Sequence, residues 1–119
     1  MKLVVDMPYF GTLSVNSYKI GRTKATRPEV KVWMQILANK VRSELNGRTF
    51  ITPGIITVDG YFHTDQYPDL DNLAKVVMDG IKVGLGIDDK YLRFKSGEIN
   101  TGYWSQYLRI TISDKEVDH

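Results

Sequence analysis

The sequence predicts an α+β fold: a small mixed β-sheet with two helices packed on it, in the order β-α-β-α-β-β. Three observations carry that expectation. Two stretches, Pro28–Leu45 and the one running from Asp69 to Gly84 or Gly86, place apolar residues at helical spacing. Four others, Lys2–Met7, Ile55–Phe62, Tyr91–Ile99 and Tyr107–Ile112, read as strands. No repeat, linker or low-complexity tract divides the 119 residues, so one domain over 1–119 is expected.

In the first strand Leu3, Val5 and Met7 alternate with Lys2, Val4 and Asp6. A polar, basic connection, SVNSYKIGRTKATR, follows. Thr26 and Glu29 have capping-box spacing, with Pro28 in the first turn, and Val30, Trp33, Met34, Leu37, Val41 and Leu45 share one face of the helix behind them. Asn46-Gly47 ends it. Pro53-Gly54 bends the chain into the second strand. The second helix offers Leu70, Leu73, Ala74, Val77 and Ile81 to the core, while Asp71, Lys75, Met78 and Lys82 form another stripe. The last two strands are joined by a turn containing Gly102, and Leu108, Ile110 and Ile112 alternate with Arg109, Thr111 and Ser113.

Composition narrows the chemistry. The chain has no cysteine, which excludes disulfides, thiolate zinc sites and cysteine nucleophiles and suits a reducing cytoplasm. Its opening apolar run is too short for a signal peptide or a membrane span, so a cytoplasmic protein with no membrane association is expected. Residues 1–60 hold nine Lys/Arg against four Asp/Glu, and residues 61–119 hold seven against ten, so a basic half precedes an acidic one. Such a split suits a polyanion on one half and a cation on the other.

The acidic half concentrates its charge in PDLDNLAKVVMDGIKVGLGIDD, with Asp69 and Asp71 at one end of a helix, Asp88 and Asp89 beyond the other, and Lys75 between. Each feature has a structural explanation. Asp69 is a favoured N-cap, Asp71 sits well against the helix dipole, and Asp71 and Lys75 form an i,i+4 pair. Asp88-Asp89 suits a turn, and Gly84 and Gly86 end the helix. The same carboxylates suit a hard divalent cation, which takes one or two protein carboxylates together with waters and substrate phosphates. Asp71 and Asp89 would stand about 27 Å apart along a continuous helix. Convergence therefore requires either a chain reversal or a carboxylate from a partner subunit.

The run DLDNLAKVVMDGIKVGLGIDD resembles the signature of the RusA family of Holliday junction resolvases. Ser14-Val15-Asn16-Ser17-Tyr18 is similar to the family's N-terminal P-S-x-N-x-Y segment, and YLRITIS to its last strand. The resemblance implies a RusA-like fold and a homodimeric endonuclease that nicks four-way DNA junctions with Mg²⁺, or Mn²⁺ in its place. It implies Asp69, Asp71 and Asp89 as metal-binding catalytic carboxylates, Asp88 as a further metal candidate, and Lys75 as the catalytic lysine. The sequence departs from the family in TDQYPDLDN, which lacks the arginines often found before D-L-D-N.

Elsewhere, Lys19, Arg22, Lys24 and Arg27 are the leading candidates for DNA-backbone contact, with Lys90 and Arg93 beside the aspartate pair. Trp104, Tyr103 and Tyr107 suit either stacking on unpaired bases or an apolar hairpin face. His63 suits a loop better than a general base. Two other functions stay open on the residues: a non-catalytic protein that binds branched DNA, and a D-x-D phosphatase.

Overall fold

The structure, a computed structural model, describes residues 1–14, 17–20 and 25–116. Strand β1 (Lys2–Pro8) leads through a 3₁₀ turn at Gly11–Leu13 to two short strands, β2 (Lys19–Ile20) and β3 (Ala25–Thr26). Helix α1 (Pro28–Leu45), β4 (Gly54–Tyr61), a 3₁₀ turn (Leu70–Leu73), α2 (Ala74–Leu85), a second 3₁₀ turn (Asp89–Tyr91), β5 (Leu92–Asn100) and β6 (Tyr107–Ser113) complete the order.

The main sheet runs β1-β6-β4-β5, with β6 antiparallel to both of its neighbours and β5 parallel to β4. Parallel neighbours need a crossover, and α2 with its flanking turns supplies it. The sheet is therefore mixed, as expected. The last two strands do not form the expected hairpin: β4 lies between them, and the Gly102-containing connection passes across its end.

Strand alternation divides the sheet into two faces. Leu3, Val5 and Met7 of β1, Leu108, Ile110 and Ile112 of β6, and Ile56 and Val58 of β4 are all buried and form one core with the helices. Helix α1 contributes Val30, Trp33, Leu37, Ala38 and Val41, and α2 contributes Val76, Val77 and Ile81. The Trp33 indole NH also donates to the Pro8 carbonyl at 2.7 Å, tying α1 to the end of β1.

Three local expectations change. Thr26 does not cap α1, because it is paired with Lys19 in the β2–β3 ladder and the N-cap falls on Arg27, which makes no side-chain cap. The first turn after Asp69 is 3₁₀, and α2 proper begins at Ala74. Gly86, with φ 70°, ends α2 in the left-handed conformation that favours glycine. Gly84 instead lies within the helix. A Cβ there would stand 2.7 Å from the Ala38 carbonyl oxygen, so its role is to let α2 approach α1.

Candidate active site

The 3₁₀ turn brings Asp69 and Asp71 together at the start of α2. Asp69 Oδ1 accepts the Asp71 amide NH at 3.1 Å, so Asp69 is the N-cap expected of it. Asp71 Oδ1 accepts the hydroxyl of Ser96 at 2.6 Å. Ser96 stands opposite Val58 on β5, and the register then slips between Val58 and Gly60, a β-bulge at Gly97 and Glu98. The bulge is held by the Asp59 carboxylate, which accepts the Glu98 amide NH at 2.8 Å. Gly97 is required there, since a Cβ would collide with that same carboxylate. Bulges of this kind re-aim side chains beside functional sites. Ser96 carries no signal in the sequence, because its role depends on the crossover that lays the Leu70–Leu73 turn against β5.

Both aspartates are exposed, and Asp69 Oδ2 and Asp71 Oδ2 accept no hydrogen bond among the described residues. Lys75 follows one turn later but does not pair with Asp71. Its ammonium lies 3.3 Å from Asp79 Oδ1, and Lys82 lies 3.7 Å from the same oxygen. These groups border a groove of about 420 Å³ between the helices, to which α1 adds Asn39 and Arg42. Arg42 carried no signal in the sequence, since only the packing of α1 on α2 makes it part of the groove that Lys75 borders.

Asp88 and Asp89 lie beyond the opposite end of α2. Asp88 caps the second 3₁₀ turn, accepting the Lys90 amide NH at 3.1 Å. That bond, with a further one to the neighbouring Asp89 carboxyl, holds the Asp88 carboxyl below the ordinary aspartate range. Asp88 is thus occupied as a cap, and Asp89, exposed beside it, begins the second 3₁₀ turn. Helix α2, 12 residues and so about 18 Å long, lies between the two acidic pairs. Among the described residues no three His, Asp or Glu side chains converge as a metal-ion ligand set. Asp69 and Asp71 alone match the one or two carboxylates that a hard cation takes from protein when waters and substrate phosphates complete its shell.

The basic candidates are dispersed. Arg22 and Lys24 lie outside the described residues, as do Val15 and Asn16 of the N-terminal segment. Arg27 donates its Nε to the Ser17 carbonyl at 2.7 Å and so braces the β2–β3 hairpin. The Lys19 ammonium lies 5.5 Å from the centre of the Tyr18 ring. Lys90 is exposed beside Asp89, against the Tyr91 ring. Arg93 pairs in register with Ile55, so by strand alternation it projects from the sheet face opposite to Ser96. His63 packs on the Tyr103–Gln106 connection, its Nδ1 3.2 Å from the Tyr103 carbonyl oxygen, as a loop histidine would. Among the described residues no helix is long and apolar enough to cross a membrane.

A protein-family model described as Endodeoxyribonuclease RusA matches residues 15–113. No curated protein matches the chain. Among solved structures, a 2C-methyl-D-erythritol 2,4-cyclodiphosphate synthase from Plasmodium vivax is 12% identical, with a TM-score of 0.38, over 83% of this chain and 62% of that one. An IspF structure from Plasmodium falciparum, a CDP complex, is 15% identical, with a TM-score of 0.35, over 85% of this chain and 67% of that one. The chain thus spans about two thirds or less of the length of these two structures.

Proposed function

The chain belongs to the RusA endodeoxyribonuclease family, phosphodiester hydrolases that resolve Holliday junctions, and from that premise we propose a Mg²⁺-dependent, structure-selective endonuclease that cuts four-way junctions by paired symmetric nicks. The observation that carries the reading is that the ordered acidic run Asp69–Asp89 falls within the matched residues 15–113.

Asp69 and Asp71 would hold the metal through the oxygens that their local hydrogen bonds leave open. Mg²⁺, when bound, supplies a Lewis acid and an activated water. Ser96 keeps the Asp71 carboxylate in one orientation while substrate and cation come and go. Lys75 shifts its ammonium from Asp79 to the scissile phosphate, where a fixed positive charge offsets the negative charge that develops during cleavage. Lys19, Arg27, Lys90 and Arg93, with Arg22 and Lys24, contact the DNA backbone; that function needs only positive charge at suitable spacing.

The working form is a homodimer, because a junction offers two strands related by near two-fold symmetry and a two-fold dimer presents two equivalent sites. The same symmetry answers the separation of the acidic pairs. Two α2 helices running antiparallel across the axis put Asp89 of one copy near Asp71 of the other, so each site draws its third carboxylate from the partner. The supporting observation is that α2 keeps the two pairs at opposite ends within one chain.

Incubation of a labelled synthetic four-way junction with Mg²⁺ or with EDTA, beside a linear duplex and the Asp71→Asn protein, tests the reading. Symmetric nicks confined to the junction and dependent on both Mg²⁺ and Asp71 are expected. Binding without cutting would mark a non-catalytic junction-recognition protein. Release of phosphate from small phosphoesters, with the junction left intact, would favour the phosphatase.

A further inference from the structure

Trp104 is 91% exposed, while the other tryptophan, Trp33, is buried at 2%. Removing a large apolar ring from water is favourable, so an indole displayed on a fixed support offers a ready stacking surface. The support is rigid here. The Tyr103 amide donates to the Phe62 carbonyl at 3.0 Å, the Gly102 amide to the His63 carbonyl at 3.2 Å, and the Tyr9 amide to the Gln106 carbonyl at 3.1 Å. The His63 amide in turn donates to the Gln106 side-chain oxygen at 3.2 Å. The connection that carries Trp104 is thus stapled to the ends of both β4 and β1.

Beside the indole lies a recess of about 500 Å³, lined by Tyr9, His63, Thr64, Trp104 and Gln106. The His63 ring meets the indole edge-on, with ring centres 6.5 Å apart. The lining combines aromatic faces with an imidazole, a hydroxyl and a carboxamide, the mixture that suits a flat heterocycle with polar edges. Packed rings link the wall of the recess to the acidic site. Phe62 packs edge-on against Tyr9 at 5.2 Å and stacks on Tyr67 at 5.5 Å, and Tyr67 with Pro68 leads directly into Asp69.

We infer that Trp104 and this recess take up an unpaired base of the DNA substrate, with the base stacked on the indole. A base at a branch point has lost neighbours, so extruding it costs less than in a continuous duplex. Base–aromatic stacking is tolerant of sequence, and so suits an enzyme that recognises DNA shape. A second protein chain fits the surface less well. Exposed Thr64 and the exposed chain neighbour Ser105 flank the indole with polar groups, and a stable interface needs about 800 Å² per partner.

The inference rests on the junction-nuclease reading, and the experiment separates the two. Tryptophan emission and its quenching by acrylamide are measured on the whole protein, with and without a four-way junction, in EDTA so that nothing is cut. Junction affinity is measured in parallel by anisotropy of the labelled DNA. With wild type, the junction should quench Trp104 emission and shield it from acrylamide, and buried Trp33 should be unchanged. Trp104→Ala should bind the junction about 5- to 100-fold more weakly, with linear-duplex binding within about 2-fold of wild type. Trp104→Phe should restore most of the loss. Unchanged junction affinity in Trp104→Ala, with wild-type emission unmoved by DNA, would overturn the inference and leave the nuclease reading standing. Shielding of Trp104 before DNA is added would overturn it in favour of a second copy on this surface. If wild type binds no DNA and cuts none with Mg²⁺, the nuclease reading fails and the inference falls with it.

Discussion

The Ser96 hydroxyl donates a 2.6 Å hydrogen bond to Oδ1 of Asp71, joining residues 25 apart in sequence and linking β5 to the turn that starts α2. It is the only side-chain partner of Asp71 among the described residues, and it lies next to the bulge that Asp59 and Gly97 maintain. Ser96→Ala should therefore slow Mg²⁺-dependent nicking by roughly 10- to 100-fold, the usual cost of losing a partner behind a metal-binding carboxylate. The Mg²⁺ concentration for half-maximal cutting should rise, and junction binding in EDTA should hold. Ser96→Thr, which keeps a hydroxyl, should recover most of the activity. An unchanged Mg²⁺ dependence in Ser96→Ala would make the contact purely structural.

If each site takes Asp71 from one protomer and Asp89 from the other, inactive variants should rescue each other. Asp71→Asn and Asp89→Asn homodimers should both be inactive. A mixed dimer would carry one site with both lesions and one with neither. Mixing equal amounts of the two proteins should therefore restore single nicks, at about a quarter of the wild-type rate once dimers exchange at random, without restoring paired cuts. Sites complete within one protomer would leave the mixture inactive, because every site would then carry one lesion. Gel analysis of nicked and resolved junctions separates these outcomes.

Gly84 and Gly80 set the closeness of the two helices. A Cβ on Gly84 would meet the Ala38 carbonyl oxygen at 2.7 Å and the Val41 Cβ at 2.8 Å. Gly84→Ala should destabilise the protein by about 1–3 kcal/mol through overpacking, lowering the urea midpoint. Gly11→Ala, where a Cβ has nothing within 4 Å, is the control and should stay within about 0.5 kcal/mol of wild type.

Asp114 is a buried carboxylate whose effect depends on pH. Burial pushes its pKa up, but hydrogen bonds from the Met1 ammonium and from the Ile51 and Glu116 amides outweigh that and leave it below the ordinary value. A carboxyl depressed on folding binds fewer protons in the folded than in the unfolded chain. Its contribution to stability is therefore full above the unfolded pKa of about 3.9 and is lost as the pH falls through the folded value. Asp114→Asn should lower the urea midpoint at neutral pH, and the gap to wild type should narrow as the pH drops from about 5 to 2. A gap constant with pH would mean that packing rather than charge accounts for Asp114.

By itself the sequence determined the two helices, the four strands of the main sheet and most of the core, but not the short strands β2 and β3, which it presents as a polar connection. The alternation of Leu3, Val5 and Met7, the helical face through Trp33 and Leu37, and the capping role of Asp69 all emerged as read, because strand and helix periodicity follow from local backbone geometry. The ordered string from Asp69 to Asp89 likewise carried the family without any coordinates. What joins distant segments was decided only by the tertiary structure. Strand order β1-β6-β4-β5 replaced the expected hairpin, Thr26 was claimed by the β2–β3 ladder before it could cap α1, and Gly84 became a contact point rather than a helix end. The partners of the acidic motif belong to the same class. Lys75 rests on Asp79 while Asp71 takes Ser96, a choice governed by β5 packing against the start of α2. A carboxylate's neighbours are set by long-range packing, and residue type and spacing along one helix constrain it only weakly.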